Sequence, residues 1–339
     1  MLSRAFRRGL WLLGVIVAPT AAQSYHVVKT KVLGGDAGWD YIALDSVGHR
    51  LFIARQDRVM VVDPAAGKVL AEIPGLRGAH GVAFAYGAGH GFATSGADSS
   101  VVMFDLATLE VLGRTIAAVD ADAILFDPAS GHVFTFNGDA GSSSVLDPAS
   151  GKRLGTVSLG GKPEYGVSAG DGKLYVNIED KAEVAEIDAK AMRVTRRWSI
   201  KPCESPTGLA IDRQSHRLFS GCRSGLMAIS DAAAGRIVTT VPIGQGVDGC
   251  RFDPTSRLAF ASNGDGTMTV IREVSPDKYV VVANVTTKRG ARTMELDPVS
   301  HRVYTVSADF GPPPAPTADR PRPRPPVLPG TFALLTLDP

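Results

Sequence analysis

Residues 38–45 read GWDYIALD, and the last residue of this stretch marks a position that recurs through the chain. The interval from one mark to the next is between 40 and 44 residues. A second mark follows each of the first ones, at the end of another short apolar run, and it keeps nearly the same period until the last unit. Two registers that share one period indicate a repeat architecture. The first marks are Asp45, Ala85, Asp127, Ala169, Asp212, Asp253 and Asp297, and the second marks end at Asp63, Asp105, Asp147, Asp188, Asp231, Glu273 and Asp338.

Each repeat unit has room for four short strands. An apolar strand runs into a turn such as DPASG (127–131), and a second strand such as VFTF (133–136) follows it. A polar loop, a third strand and a fourth strand such as KVLAEI (68–73) complete the unit. Four strands in about 40 residues are typical of a propeller blade. The sequence therefore predicts an all-β, seven-bladed β-propeller with four-stranded blades.

The two ends of the chain predict how the propeller closes. The last unit stops after three strands, and the apolar-polar stretch VVKTKVL (27–33) lies ahead of the first unit. We expect this N-terminal strand to complete the last blade, which would cover sheet edges that otherwise invite aggregation. A Pro-rich insert at about residues 311–329 lengthens the last unit. Proline-rich chain favours an extended, unpaired backbone, so we expect a surface loop, with a docking motif as the alternative.

Residues 1–22 have the pattern of a signal peptide. Three arginines precede the apolar run LWLLGVIVA (10–18), and small residues follow it. Removing these arginines takes the formal net charge from +2 to −1, so global charge points neither to nucleic acid nor to an anionic membrane. No later apolar run is long enough to span a bilayer. We expect one domain over residues 23–339, monomeric, in the periplasm or secreted.

Counting five residues back from each first mark selects equivalent positions at the start of the first strand of every unit. In a propeller these positions meet at one mouth of the central channel. Six of the seven side chains are ionisable, which predicts a ring of four carboxylates, one imidazole, one hydroxyl and one guanidinium. The ring consists of Asp40, His80, Asp122, Glu164, Thr207, Asp248 and Arg292.

Several functions suit such a ring. Asp40, His80, Asp122 and Glu164 could bind a divalent cation such as Ca²⁺, Mg²⁺, Mn²⁺ or Zn²⁺, although no cofactor is certain from the sequence. Crowded carboxylates with one histidine could perform acid–base chemistry. The ring could also hold a polar or cationic small ligand without chemistry. The simplest alternative is a hydrated mouth in which Arg292 pairs with Asp248 and Asp40.

Two of the three cysteines fall in one predicted hairpin. Cys203 precedes the first strand of the fifth unit and Cys222 ends its second strand, so a disulfide between them is geometrically plausible. Cys250 is then a spare thiol, which we expect to be buried and inert.

The chain resembles the YncE family of exported seven-bladed propellers, within the YVTN-repeat group. The resemblance covers nearly the whole chain after residue 22 and implies the fold more than a reaction. The CESP and SGC stretches around Cys203 and Cys222 resemble a paired feature of that family. The stretches that carry the resemblance are GWDY (38–41), HG (80–81), DAILFDPASG (122–131), FNG (136–138), GGKPE (160–164), CESPTGLAID (203–212), LFSGC (218–222), PIGQGVDG (242–249), SNGDGTMTV (262–270), GARTMELDP (290–298) and the Pro-rich insert.

Taken together, the sequence predicts a non-enzymatic binding or scaffold protein whose acidic mouth meets a small ligand, a metal ion or a protein partner. The alternative is a hydrolase or lyase, lactonase-like and dependent on a divalent metal, with its site at the same mouth. Metal binding at the ring distinguishes the two.

Overall fold

The computed structural model describes residues 25–36, 38–317 and 323–339. The predicted signal peptide and the middle of the Pro-rich insert lie outside these residues. Within the described ranges the chain is almost entirely β-strand, with three short 3-10 turns at Tyr86–Ala88, Gly96–Asp98 and Glu179–Lys181. None of the described helical segments has the length and apolar character needed to cross a membrane.

The strands follow one another along the chain with short turns between them. They are β1 (His26–Val32), β2 (Ile42–Asp45), β3 (Arg50–Asp63), β4 (Lys68–Ala85), β5 (His90–Ser95), β6 (Ser100–Asp105), β7 (Val111–Ile116), β8 (Ala121–Asp127), β9 (His132–Asn137), β10 (Ser142–Leu146), β11 (Arg153–Ser158), β12 (Pro163–Ser168), β13 (Lys173–Ile178), β14 (Glu183–Asp188), β15 (Arg193–Ser199), β16 (Pro206–Asp212), β17 (Arg217–Cys222), β18 (Leu226–Asp231), β19 (Arg236–Pro242), β20 (Val247–Asp253), β21 (Leu258–Asn263), β22 (Thr267–Ser275), β23 (Lys278–Thr286), β24 (Met294–Leu296), β25 (Val303–Ser307) and β26 (Ala333–Asp338).

All strand pairs are antiparallel, and the described strands form six sheets where the repeat predicts seven blades. Five sheets have four strands, and β2 to β7 form one six-stranded sheet. The difference arises because β3 and β4 each run through two repeat positions without a break. The first part of β3 pairs with β2 and its second part with β4, whose last residues, Val82–Ala85, pair in turn with β5.

The N-terminal strand joins the C-terminal strand. β1 pairs with β26 from His26 opposite Asp338 to Val32 opposite Ala333, and the order of that sheet is β1-β26-β25-β24. The Pro-rich insert leaves this sheet between β25 and β26. Its two arms meet where Phe310 bridges Val327, and the Phe310 ring packs 6.0 Å from that of Trp39. One isolated bridge therefore forms at the base of a segment for which the sequence predicts no strand pairing.

The repeat mark is explained by the turn that it begins. The side chain of Asp127 accepts a hydrogen bond from the backbone N–H of Ser130 at 2.8 Å, and Asp45 accepts one from Gly48 at 2.9 Å. An aspartate that bonds the chain three residues ahead ends the strand and starts a tight turn. The turn closes with Gly131 at φ +74°, a backbone region that favours glycine.

The apolar core lies between neighbouring repeat units. Among the described residues seven buried clusters fill these gaps; in one of them Phe52 from β3 stacks on Phe104 from β6 at 5.8 Å. The centre of the molecule is lined instead by the first strand of each repeat unit, which places the residues before and within those strands around a channel. These first strands are β2, the end of β4, β8, β12, β16, β20 and β24.

Candidate metal centre

Backbone hydrogen bonds between neighbouring units fix the starts of the first strands. The backbone N–H of Tyr41 donates to the carbonyl oxygen of His80 at 3.1 Å. Buried threonine hydroxyls hold further positions: Thr293 donates to the carbonyl of Asp40 at 2.9 Å and Thr94 to that of Asp122 at 2.5 Å. Because these bonds cross from one unit to the next, they bring side chains about 40 residues apart in sequence to one mouth.

Three of the predicted residues meet at this mouth. Nδ1 of His80 lies 2.6 Å from Oδ2 of Asp40 and 3.4 Å from Oδ1 of Asp122. One ligand atom from each side chain lies within 4.8 Å of the other two. The Nε2 edge of the imidazole packs against Gly96, where a Cβ would come within 2.8 Å of it. Nδ1 is thus the nitrogen that faces the carboxylates.

Of the other predicted residues, Arg292 and Asp248 form an ion pair, whereas Glu164 and Thr207 have other partners. Arg292 lies between two acids as expected, with Nε 2.7 Å from Asp248 and Nη2 3.5 Å from Asp40. Glu164 lies outside the three-residue cluster, and its nearest ion-pair partner is Arg223 at 3.7 Å. Thr207 is fully buried and donates its hydroxyl to the carbonyl of Val247 at 2.7 Å, which makes it an anchor for the backbone.

Burial and mutual repulsion favour protonated carboxyls at the mouth. Burial, followed by the charges of Asp40, Glu164 and Asp248, raises the pKa of Asp122 well above its usual range. Burial and the Asp248 charge raise the pKa of Glu164 to about 8, against the opposing effect of Arg223. The pKa of Asp248 is also raised, because its burial outweighs the attraction of Arg292. The site therefore carries more acid than the cations around it neutralise.

The raised pKa values favour the neutral form of the carboxyls, but the charged form of His80. Burial disfavours the charged imidazole of His80, but the hydrogen bond to Asp40 and the charge of that carboxylate outweigh it and raise the pKa of His80. Nδ1 of His80 is hydrogen-bonded to Asp40. Oδ1 of Asp122 therefore stays buried and without a hydrogen bond within the described part of the chain. Oδ1 of Asp248 is in the same condition. Buried acceptors without partners are costly, and a bound cation would satisfy them.

The structure adds residues that the repeat could not select. Arg223, directly after β17, contacts Glu164 and, at 2.7 Å, Glu179, while Lys162 lies 3.8 Å from Glu179. The residue directly after the second strand is Gly96, Gly138 or Gly264 in other units, so the period gives the place of Arg223 but not its charge. Arg223 and Lys162 form a partial counter-charge on one side of the mouth.

The predicted disulfide is confirmed. Cys203 is bonded to Cys222, which links the loop before β16 to the end of β17. Disulfides persist in oxidising compartments, so this bond indicates a location outside the reducing cytosol. Cys250 is a buried free thiol, and burial raises its pKa to about 12, as expected for an unreactive cysteine.

Comparison with known proteins supports the fold. No family model matches the sequence, and no curated protein matches it. Among solved structures, the hydrazine synthase of Kuenenia stuttgartiensis is similar, with a TM-score of 0.71 and 16% identity over 81% of this chain and 94% of that one. At this identity the likeness speaks for the fold alone. The chain is an all-β protein with a β-propeller fold.

Proposed function

We propose that this chain is an exported binding protein whose propeller takes up a divalent cation at the Asp40–His80–Asp122 mouth. The observation that carries the proposal is the meeting of one imidazole nitrogen and two carboxylates, one with an unused buried oxygen, among carboxyls whose pKa is raised. A bound cation would supply the positive charge that this arrangement lacks. Its ligands come from three repeat units, so the folded propeller would present the site preformed.

The proposal includes a finer description of the fold. The six-stranded sheet contains two units of four strand segments, so we count seven blades, of the kind that the YncE resemblance implies. In this description β1 is the fourth strand of the last blade and closes the ring. The pattern of residues 1–22, together with the disulfide, supports export to the periplasm or beyond.

The donor set favours Zn²⁺ over Ca²⁺, Mg²⁺ or Mn²⁺. Calcium and magnesium prefer sites made of oxygen, whereas imidazole suits zinc and other transition metals. Ligand atoms around tetrahedral zinc lie about 3.4 Å apart, given bond lengths of about 2.0–2.1 Å. The Nδ1–Oδ1 separation of His80 and Asp122 is 3.4 Å, while the shorter contact between His80 and Asp40 would open when a metal replaces the proton.

Calorimetric titration of Zn²⁺ into chelator-treated protein tests the proposal. We expect one equivalent to bind at pH 7.5, and Asp122→Asn to weaken binding by at least about tenfold. Asp139→Asn is the matched control, because Asp139 is exposed on the same rim and pairs only loosely with Lys162, at 3.9 Å. This control should bind as the wild type does. No uptake by the wild type, or equal loss in both variants, would contradict the proposal.

A metal-dependent hydrolase or lyase is the second candidate. Glu164, with a pKa of about 8, could hold a proton close to a metal-bound substrate and act as a general acid or base. Zinc-loaded protein should then open simple lactones, and Glu164→Gln should abolish turnover while zinc still binds. Absence of turnover in the loaded wild type leaves the binding function and removes the enzymatic one.

A further inference from the structure

Beyond the charged mouth, the channel changes character. The first strands enclose a cavity of two adjoining lobes, about 250 Å³ and about 320 Å³, which share Leu125, Phe126, Tyr165 and Glu295 in their walls. The rings of Tyr41 and Tyr165 meet edge to face at 5.1 Å. Tyr41 directly follows Asp40 of the mouth and also lines the first lobe, so its ring lies between the mouth and the cavity. Burial, and then the charges of the mouth carboxylates, raise the pKa of Tyr41.

Most of the side chains around the two lobes are apolar, and several of them are only half-buried. Apolar surface that stays open in the centre of a fold is available to a ligand. The combined size is in the range of small-molecule pockets, about 300–1,000 Å³. The half-buried apolar side chains are Leu44, Phe84, Phe126, Val167, Ile211 and Phe252.

One ion pair lies in this apolar wall, and it is complete. Nε and Nη2 of Arg251 donate to the two carboxylate oxygens of Glu295 at 2.6 and 3.0 Å, and Nη1 donates to the carbonyl of Cys250. The pair contributes no net charge to the cavity. Arg213 also lines the second lobe, but it is exposed and donates to the carbonyl of Ser168.

The hydroxyl of Tyr165 has one hydrogen left to give. It accepts a hydrogen bond from Nη2 of Arg251 at 2.9 Å, and no described residue accepts its own hydrogen. Burial raises the pKa of Tyr165, so the hydroxyl stays protonated. Mainly apolar side chains beside one spare donor suit a small uncharged molecule that carries one acceptor.

We propose that this cavity is a second binding site, for a small neutral molecule with a single carbonyl group held by the Tyr165 hydroxyl. Apolar side chains of the first strands contact the ligand, and the hydrogen bond orients it with its carbonyl toward Tyr165 and Arg251. The site works without the metal, so it stands or falls independently of the proposed function.

Two probes of nearly equal shape test the assignment, cyclohexanone and methylenecyclohexane, the second of which lacks the carbonyl oxygen. Binding is measured by saturation-transfer NMR titration in the presence of EDTA. We expect both probes to bind the wild type and the ketone to bind about 2- to 13-fold more tightly, since a hydrogen bond contributes about 0.5–1.5 kcal/mol. In Tyr165→Phe the preference should vanish while the alkene binds as before.

Two further variants locate the effect. Tyr279→Phe removes a hydroxyl on the exterior, bonded to the carbonyl of Pro276, and should keep the full preference for the ketone. Val167→Phe fills the second lobe and should weaken both probes, with its thermal melt confirming that it folds. Absence of binding to the wild type, a preference that survives Tyr165→Phe, or full binding to a folded Val167→Phe variant would overturn the proposal.

Discussion

The central channel has two halves, the mouth at Asp40, His80 and Asp122 and the far half at Arg251 and Glu295. Both are built from the same first strands, and they differ in how their charges are balanced. In the far half, Arg251 and Glu295 satisfy each other through two hydrogen bonds. At the mouth, Arg292 satisfies Asp248 only in part, and Asp122 keeps a buried oxygen without a hydrogen bond. The charges of Arg251 and Glu295 therefore cancel in the far half, whereas the carboxylates at the mouth outnumber the cationic groups paired with them.

This difference explains why the two ends of the first strands would suit different ligands. A buried pair with all hydrogen bonds made is stable as it stands, so the far half offers a ligand the Tyr165 hydroxyl and apolar side chains rather than an unpaired charge. An excess of buried carboxylate is costly unless protons or a cation neutralise it. We therefore expect a cation at the mouth and a small neutral molecule in the far half.

The largest expected effect comes from breaking the complete pair. Glu295→Gln leaves the Arg251 guanidinium buried without its counter-charge, and we expect a loss of about 3 kcal/mol in the free energy of unfolding by urea. Asp338→Asn breaks the half-exposed pair with Arg302 and should cost less than about 1 kcal/mol. Equal losses in the two variants would show that the far half is not held by this pair.

The next effect is the pH dependence of zinc affinity. Zinc needs the lone pair on Nδ1 of His80, and the raised pKa of this histidine keeps a proton there in mildly acidic solution. Affinity should fall as pH falls, by about tenfold for each pH unit below that pKa when one proton is displaced. Calorimetry in buffers of different ionisation enthalpy counts the protons released. An affinity that is constant from pH 5 to 7 would contradict the assignment of Nδ1 as a ligand.

A smaller effect is the pH dependence of stability that follows from the pKa of Glu164 at the mouth. Because the folded-state pKa of Glu164 is about 8, the folded protein binds a proton that the unfolded chain releases above its ordinary pKa near 4.5. Metal-free stability should therefore fall as pH rises through this window. Glu164→Gln should raise the melting temperature in EDTA at pH 8 by about 2–5 °C and leave it nearly unchanged at pH 4.5. Destabilisation at pH 8 would contradict the excess of acid at the mouth.

The smallest effect concerns the counter-charge at the rim. Arg223 is half-exposed and attracts Glu164 and Glu179, so it opposes a cation at the mouth only weakly. Arg223→Ala should tighten zinc binding by about two- to fivefold, in line with about 0.2–1 kcal/mol for an exposed pair. Weaker binding in this variant would show that Arg223 supports the site, and Arg213→Ala, at the far end, serves as the control.

The sequence predicts the fold because one period controls both the strands and the turns. Asp127 and its counterparts end the first strands, and counting back from them selects Asp40, His80 and Asp122, which the structure brings together. Counting could not separate Thr207, whose hydroxyl turns to the backbone, from the residues that face the mouth. Position in a repeat gives the place of a Cα, while the direction of a side chain depends on its neighbours.

Contacts between distant parts of the chain cannot be predicted from the repeat period. Arg223 and Lys162 stand where other units have residues such as Gly138 and Gly246, so the repeat gives their places and not their contacts. The contact between Arg251 and Tyr165 crosses the channel between strands that are not adjacent, so no spacing in the sequence announces it. The uninterrupted course of β3 and β4 depends on local backbone geometry and also had no sequence signal.

The central claim is that the mouth takes a cation at three named side chains, and a zinc-soaked crystal tests it most directly. Diffraction data on either side of the zinc absorption edge locate the metal in an anomalous difference map. We expect one strong peak within about 2.0–2.2 Å of Nδ1 of His80 and of one carboxylate oxygen each from Asp40 and Asp122. A map with no peak there, or with its strongest peak at the far end of the channel, would contradict the account.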